Sequence, residues 1–251
     1  MRIIRLSLIA GLLAMPLVAT AERNNTDATA KVAETLPLDT IIKKHLAALG
    51  GETLLRKGTS LSFKVTGEKM GKKFTKTVYQ AKPNKLRVDV VSDEGNFSKG
   101  FDGKVAWVKK GTEKAVAMTA EETRMTAAHA DFEEPLLDYA KKGTKVKVVG
   151  KADLKGAEAY DLEVTLKNGE VEHHFLDATS FLLVKKTWMG KDKDGKTVPM
   201  TVAFGDYKKV QGRAVNHSVT WTGDDGKDSK SEVSAVVFDK PVDAKLFAMP
   251  K

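Results

Sequence analysis

Apolar and polar residues alternate along most of the chain from Leu61 onwards. In LSFKVTG, for example, Leu61, Phe63 and Val65 fall on one side of an extended chain, and polar residues fall on the other. About eleven segments show this period of two, and short stretches rich in Asp, Asn and Gly separate them. Because the strands of a parallel sheet are apolar on both faces, the alternation predicts an antiparallel sheet with one dry and one wet face.

Two stretches have the spacing of helices instead. Over residues 38–49, apolar residues recur at helical spacing, and two glycines that follow can end the helix. Over residues 119–142, Thr119 and Glu122 make a capping box, and Pro135 can open a second helix. A sheet of about eleven strands curls strongly, and two helical pieces are too few to cover its dry face tightly. The sequence therefore predicts a mainly β (α+β) protein, in which a curved antiparallel sheet partly plugged by helices encloses an apolar cavity.

The N-terminus has the three parts of a secretory signal peptide, namely a basic start, an apolar run and a small-residue cleavage motif. MRIIR precedes LSLIAGLLAMPLVA, and Ala19-Thr20-Ala21 follows. We predict a signal peptide over residues 1–21, cleaved after Ala21, with a membrane anchor as the alternative. The polar residues 22–37 then form a disordered leader, and residues 38–251 form a single exported domain.

Cysteine content and charge narrow the possible partners. The sequence contains no cysteine, which excludes disulfides and thiolate metal sites. The formal net charge is +9 at pH 7. Since an exported protein seldom meets nucleic acid, we expect none as a partner, and attraction to anionic lipid headgroups or simple solubility explains the charge. Residues 64–87 are the most basic stretch, and we predict that Lys72, Lys73 and Lys76 dock on an acidic partner or a membrane surface.

The order of several short motifs resembles that of the LolA-like outer-membrane lipoprotein carriers. Lys82-Pro83-Asn84 precedes one strand, and Asp102-Gly103-Lys104 precedes Trp107, similar to a family pattern of a basic residue with Pro-Asn, then Asp-Gly-Lys and Trp. Bacterial lipoprotein-sorting proteins are similar in further segments, namely ALGG, PLLDYAKKG, VVGKADLKGAEAYDLEV, FLDATSFLLVKK and LFAMPK. The resemblance covers about residues 38–251.

The resemblance implies a half-open β-barrel of about eleven strands, with helices as a lid over an apolar cavity that holds acyl chains. It also implies a place in the periplasm, between an inner-membrane donor and an outer-membrane acceptor of lipid or lipoprotein, and we expect a monomer. In the carriers, an Arg before Pro-Asn helps to hold the lid closed, so Lys82, Pro83 and Asn84 are the candidate latch. Lysine lacks the guanidinium fork and cannot reproduce a bidentate contact.

Large apolar residues at dry positions of the predicted strands are candidates for the cavity lining, with ordinary core packing as the alternative for each. The stretch FDGKVAWVKKG raises the question most directly, since Trp107 follows a turn on a lysine-rich strand. Burying an acyl chain of about 15 methylenes is worth about 12 kcal/mol gross, at ~0.8 kcal/mol per methylene, without any polar contact. The predicted lining residues are Phe63, Phe74, Leu86, Val88, Trp107, Phe175, Met200, Val202, Phe204 and Trp221.

Residues that could carry catalysis are scattered. The chain has no Gly-x-Ser-x-Gly and no His-Glu-x-x-His motif, and His173-His174 would point to opposite faces of a strand. The stretch from Asp192 to Gly195 is typical of a hairpin turn rather than of a calcium loop. We therefore predict no enzymatic activity, no catalytic residue, no metal and no cofactor. His217 is in phase with the dry face, which keeps a hydrolase as a minor alternative, and the charged wet faces disfavour an outer-membrane barrel.

The predicted function is that of a soluble periplasmic carrier, which binds lipoprotein acyl chains or another lipid in an apolar cavity. It moves this cargo between the envelope membranes and touches membrane surfaces transiently. The alternative is an envelope lipid-binding or sensing module that docks a partner protein without transport. Both alternatives depend on the same cavity and on the residues that line it.

Overall fold

The computed structural model describes residues 35–69, 71–131, 133–191, 196–222 and 227–251. The predicted signal peptide with its cleavage site, residues 22–34 of the predicted leader and the predicted turn at Asp192 to Gly195 lie outside these residues. The strands, in chain order, are β1 (Ser60–Lys69), β2 (Lys72–Ala81), β3 (Lys85–Ser92), β4 (Phe97–Phe101), β5 (Ala106–Lys110), β6 (Val116–Ala117), β7 (Lys145–Asp153), β8 (Glu158–Thr165), β9 (Val171–Asp177), β10 (Leu183–Lys191), β11 (Thr197–Val210), β12 (Arg213–Thr222) and β13 (Asp228–Phe238).

These thirteen strands of the described chain form one antiparallel sheet, in the order β6-β5-β4-β3-β2-β1-β13-β12-β11-β10-β9-β8-β7. Within β1–β6 and within β7–β13, strands that follow each other in the chain are neighbours in the sheet, and β1 pairs with β13 at its centre. Strands β6 and β7 are the two edges, so the sheet does not close on itself. The predicted mainly β fold with a half-open antiparallel sheet is confirmed, with thirteen strands where the pattern indicated about eleven.

Three α-helices accompany the sheet in the described residues, namely α1 (Leu38–Ala48), α2 (Glu52–Lys57) and α3 (Ala120–His129). Helix α3 begins at the predicted capping box. The Thr119 hydroxyl accepts a hydrogen bond from the backbone N–H of Glu122, and the Glu122 carboxylate accepts one from the backbone N–H of Thr119. These two bonds satisfy backbone donors that an uncapped helix would leave free.

The predicted helix over residues 119–142 is wrong beyond His129. Residues 135–143 form turns, and Asp138 has a φ of 51°, which lies in the left-handed region and interrupts any helix. The turns direct Leu136 and Leu137 into the core, where each is 1% exposed. Burial of these two side chains against the sheet therefore overrides the helical propensity of the segment.

The sheet has an inner face, which packs against the helices, and an outer face. Two buried clusters lie on the inner face, one towards each edge. The first joins α1 and the turns at 135–143 to β8 and β9, and consists of Ile41, Ile42, Leu46, Leu136, Leu137, Tyr160, Leu162, Val164 and Leu176. The second joins the end of α3 to β2–β5, and consists of Val78, Leu86, Val88, Phe101, Ala106 and Ala130.

The inner face continues across the central strands between the two clusters. Residues that pair directly across antiparallel strands share a face. Val65 of β1 pairs with Val233 of β13, and Val219 of β12 pairs with Phe204 of β11. The strands β1, β13, β12 and β11 therefore present an inner surface that belongs to neither helix-covered cluster.

Candidate functional site

Half-buried and exposed aromatic and aliphatic side chains lie together on this central part of the inner face. A row of direct register partners crosses five strands, from Phe74 through Gly67, Ser231 and Val219 to Phe204. Four interstrand spacings make this row about 19 Å long. We call the apolar residues of this row and of the neighbouring positions the central strip, which consists of Phe74, Trp188, Met200, Phe204, Val219 and Trp221.

Two tryptophans mark one side of the central strip. Trp188 of β10 and Trp221 of β12 meet edge to face across β11, with ring centroids 5.7 Å apart. Trp221 is 41% exposed, which is unusual for so large an apolar ring. An exposed aromatic pair on the helix side of a sheet is a surface that a ligand can cover.

The other end of the row is shaped by a glycine. The ring of Phe74 lies over Gly67, where an added Cβ would come within 2.9 Å of Phe74 Cζ and 2.5 Å of Ser231 Oγ. The lack of a side chain at position 67 therefore lets the phenyl ring lie flat across β1. The central strip is therefore shallow and open next to β2.

The structure places most of the predicted lining residues on the inner face, in two environments. Phe63, Leu86 and Val88 belong to or pack against the cluster under α3. Val202 of β11 is 2% exposed, pairs with Trp221 and lies on the inner face between Met200 and Phe204. The predicted residues that reach the central strip itself are Phe74, Met200, Phe204 and Trp221.

Trp107 does not line the inner face, so the prediction for this residue is corrected. It pairs with Gly100, and both point to the outer face, opposite to Ala106 and Phe101 of the α3 cluster. The indole is fully buried there, and its Nε1 donates a hydrogen bond of 2.8 Å to the carbonyl oxygen of Phe247. The C-terminal segment thus covers Trp107, and the residue is a core residue of the outer face.

Phe175 is also on the outer face, and its predicted role is corrected for the same reason. It pairs with Asp161, stacks on His173 at 6.3 Å, and lies under the ammonium of Lys185 at 5.0 Å. The inner positions of β9 are instead Glu172, His174 and Leu176, of which two are polar. Assigning the apolar residues of β9 to the inner face therefore gives the wrong face for Phe175.

Charged residues on the inner face are the part of the site that sequence reasoning missed. Lys76 of β2 alternates with Phe74 and Val78, and Lys99 of β4 pairs with Val88, so both lysines face the helix side. Burial lowers the pKa of both ammonium groups, and the charge of Lys99 lowers the pKa of Lys76 further. The alternation in FTKTV could have located Lys76 on the inner face, since it falls between two inner residues, Phe74 and Val78.

The predicted docking residues Lys72, Lys73 and Lys76 do not form one surface. Lys73 is exposed on the outer face, whereas Lys76 faces the helix side.

A third inner lysine is neutralised by an acid. Lys186 Nζ donates a hydrogen bond of 2.8 Å to Glu172 Oε1, and His174 Nε2 lies 2.8 Å from Glu172 Oε2. Burial alone would raise the pKa of Glu172, but the bonds from His174 and Lys186 lower it to about 2. This carboxylate is therefore ionised at neutral pH and its charge is matched within the protein.

His129, in the last turn of α3, lies between the two sets of charges. Burial lowers its pKa, and the charges of Lys99 and Lys186 lower it further, whereas those of Glu170 and Glu172 raise it. Its backbone carbonyl accepts a long hydrogen bond of 3.5 Å from Gln80 of β2. The charges of Lys99, on β4, and of Lys186, on β10, therefore both act on this imidazole.

The predicted latch residues contact the helical elements. Lys82 Nζ donates a hydrogen bond of 2.8 Å to the carbonyl oxygen of Arg56, at the end of α2, and lies 3.1 Å from Glu133 Oε1. Burial tends to raise the pKa of Glu133, but Lys82 and Lys142 lower it overall. Asn84 Oδ1 is buried and has no hydrogen-bond partner within the described residues. The lysine thus joins the β2–β3 connection to two helix-side segments by single contacts instead of a fork.

Replacing Lys82 with methionine is expected to loosen the segment at 131–143 while reducing global stability by only about 0.5–1 kcal/mol, because both partners of the ion pair are about one-third exposed. Hydrogen exchange of the backbone amides over 133–144 measures the first effect and urea unfolding measures the second. Lys104→Met, at an exposed turn, is the control. Unchanged exchange in Lys82→Met would mean that the lysine does not hold the segment.

A buried ion pair anchors the same segment to α1. His45 Nε2 lies 3.5 Å from Glu134 Oε1, and its Nδ1 lies 2.7 Å from the carbonyl oxygen of Phe181. Burial by itself lowers the pKa of His45, but the hydrogen bond and charge of Glu134 outweigh it, so the pKa is raised above 6.5. Burial raises the pKa of Glu134, and His45 more than reverses this, so that pKa falls below 4.5.

Among the described residues, no three His, Asp or Glu side chains come together as a metal site. None of the helices in the same residues is long and apolar enough to cross a membrane. His217 lies on the inner face, where its Nδ1 is 3.0 Å from the carbonyl oxygen of Val215 of its own strand. This contact is local to β12 and involves only backbone of the same strand.

The architecture is similar to that of several solved structures. No family model matches this chain, and no curated protein matches it. A LolA superfamily protein from Nitrosomonas europaea has a TM-score of 0.56 at 10% identity, over 85% of this chain and 98% of that chain. A DUF1329 family protein from Desulfovibrio piger gives 0.54 at 14% identity over 85% and 98%, and an outer membrane lipoprotein-sorting protein domain from Vibrio parahaemolyticus gives 0.53 at 14% over 83% and 94%. The fold of this chain is therefore LolA-like, as the sequence motifs suggested.

Proposed function

We propose that this protein is a periplasmic carrier of an acyl lipid or lipoprotein, which it binds along the central strip of the inner face. The observation that carries the proposal is the exposed aromatic and aliphatic surface between the two helix-covered clusters. The helices cover the flanks of the inner face, and Trp221 remains 41% exposed on the same face. Monomeric proteins seldom present such a surface unless something binds it.

The dimensions and chemistry of the strip suit a hydrocarbon chain. The row from Phe74 to Phe204 is about 19 Å long, close to the length of an extended fatty acyl chain. The row is formed by phenyl rings, a valine and two small residues, which demand no hydrogen bonds from a ligand. At ~0.8 kcal/mol per buried methylene, apolar contact alone provides enough affinity for a carrier.

The solved neighbours support the choice of carrier over enzyme. One of them is a LolA superfamily protein and another is an outer membrane lipoprotein-sorting domain, and both share the open sheet over most of their length. By this likeness, cargo is taken from an inner-membrane donor and delivered to an outer-membrane acceptor, and the chain is exported by the signal peptide predicted over 1–21. The function needs no catalytic group, metal or cofactor.

Native mass spectrometry of the protein purified from a bacterial periplasm tests the proposal. We expect an adduct whose mass matches an acylated lipid, and we expect Trp221→Asp to lose it because a carboxylate then lies in the strip. Thr220→Asp is the matched control, since Thr220 is the preceding residue and faces outwards. Its adduct is expected to persist.

Transfer of lipid separates a carrier from a sensing module. Donor vesicles that contain a fluorescent fatty acid are mixed with acceptor vesicles in the presence of the protein. A carrier is expected to accelerate transfer of the fatty acid between the vesicles. Binding without acceleration would replace the carrier by a lipid-binding sensor. A lipid-free mass together with no uptake of the fluorescent fatty acid would overturn both, and the strip would then be an ordinary surface of the fold.

A further inference from the structure

Lys76 and Lys99 are two cations placed on an otherwise apolar part of the inner face. Lys76 pairs with Val65 and Val90, and Lys99 pairs with Val88 and Val108. A half-buried ammonium among valines loses hydration, which normally requires an acidic partner nearby. Packing alone therefore does not explain why lysines occupy these two positions.

Neither lysine has such a partner among the described residues. Burial lowers the pKa of both ammonium groups, the charge of Lys99 lowers the pKa of Lys76 further, and no carboxylate contributes. The contrast with Lys186 is direct, since that lysine lies on the same face and is paired with Glu172 at 2.8 Å. Within the described residues, Lys186 is therefore a neutralised lysine of the inner face, whereas the charges of Lys76 and Lys99 are unmatched.

The position of the two lysines relates them to the central strip. Lys76 is two residues from Phe74 on β2, and Phe74 is the first residue of the row that runs to Phe204. Lys99 lies two strands further towards the edge, next to the end of α3. An acyl chain lying along the row from Phe204 to Phe74 therefore ends at the lysine pair.

We propose that Lys76 and Lys99 bind the anionic headgroup, a carboxylate or a phosphate, of the lipid whose acyl chain lies on the central strip. This inference rests on the proposed function and gives the cargo its chemical class. An oxyanion accepts hydrogen bonds from both ammonium groups, and these bonds replace the contacts with water that burial removes. The ligand is thus a negatively charged amphiphile, bound with its head towards β2–β4 and its tail towards β11.

Two lipids with the same acyl chain test this assignment. Lysophosphatidylglycerol carries an anionic phosphate, whereas monoacylglycerol carries no charge, and the change in tryptophan fluorescence at Trp188 and Trp221 reports binding of either. We expect the wild-type protein to bind the anionic lipid at least about tenfold more tightly, since its phosphate accepts hydrogen bonds from both ammonium groups. The double variant Lys76→Gln/Lys99→Gln is expected to remove this preference and leave the binding of monoacylglycerol unchanged.

The matched control is Lys64→Gln/Lys73→Gln, which removes two exposed lysines from the outer face of β1 and β2. It is expected to bind both lipids as the wild type does. Thermal unfolding of both double variants without lipid checks that they fold, and the inner variant is expected to be at least as stable as the wild type because two unmatched charges are gone. If it unfolds, Lys76→Arg/Lys99→Arg, which keeps the charge, is compared with Lys76→Met alone.

The possible results separate the two proposals. Equal binding of both lipids by the wild type, or equal weakening by the inner and outer variants, would overturn the headgroup site and leave the lipid carrier intact. Binding of neither lipid would overturn the carrier and the headgroup site together. The last measurement is the binding of inorganic phosphate alone. If it binds tightly while the lipids do not, the lysines hold a free anion, and the lipid assignment is wrong.

Discussion

Replacing Trp107 with alanine is expected to lower the free energy of unfolding by about 3–5 kcal/mol. The indole is fully buried on the outer face, it lies flat over Gly100, and its Nε1 donates to the carbonyl oxygen of Phe247. The variant loses the packing of the largest buried side chain and leaves that carbonyl without its donor. Phe247 is itself 1% exposed, so the C-terminal segment that covers the indole should loosen at the same time.

Urea unfolding followed by circular dichroism measures this loss, with Trp221→Ala as the matched control. Both changes remove a tryptophan from the sheet, but Trp221 is 41% exposed, and its removal should cost less than about 1 kcal/mol. The two variants should behave in the opposite way towards lipid, with binding kept in Trp107→Ala and weakened in Trp221→Ala. Similar stability of the two variants would contradict the assignment of Trp107 to the core.

Replacing Glu134 with alanine should produce a second large loss, which depends on pH. The folded pKa of His45 lies above 6.5, so the stabilisation from its protonation is fully present below 6.5 and disappears as the pH rises through the folded pKa. The folded pKa of Glu134 lies below 4.5, so its contribution is present above 4.5 and disappears as the pH falls through the folded value. The pair is therefore strongest between about pH 4.5 and 6.5.

We expect Glu134→Ala to lose about 2–3 kcal/mol of stability near pH 5.5 and clearly less at pH 8, because the stabilisation from the His45 charge falls as the pH rises through its folded pKa. Unfolding curves at pH 3.5, 5.5 and 8 measure the difference in stability from the wild type inside and on both sides of the range in which the pair is strongest. Glu133→Ala is the neighbouring control, since its pairs with Lys82 and Lys142 are partly exposed and should contribute under about 1 kcal/mol. A loss that is the same at all three pH values would show that packing, not ionisation, carries the effect.

The fold was largely predictable because the alternation of apolar and polar residues identifies the two faces of each strand. In LSFKVTG the apolar residues Phe63 and Val65 do face the helices, and the capping box at Thr119 does start α3. The turns at 135–143 were not predictable in the same way. Their conformation depends on the burial of Leu136 and Leu137 against α1 and β8, which are distant in the sequence.

The candidate site was less predictable, since large apolar residues occupy both faces of the sheet. Trp107 and Phe175 have the composition of lining residues, but a covering C-terminal segment buries the first, and Lys185 covers the second. The inner lysines were missed for the converse reason. A lysine in an alternating strand is normally assigned to the wet face. The phase of Lys76 with Phe74 and Val78 indicated the inner face, whereas only the register with Val88 places Lys99 there.

The pairing of β1 with β13 has a consequence for the order in which the protein folds. Every other strand pair joins segments that are close in the chain, so β1–β6 and β7–β13 can each form as a local meander. The central pairing joins Leu61 to Phe238 and closes a loop that contains nearly the whole domain. Closing so long a loop has a large entropic barrier, and this seam should form last and set the folding rate. The central strip crosses this seam, so the surface assigned to the lipid should come into existence only in the final step of folding.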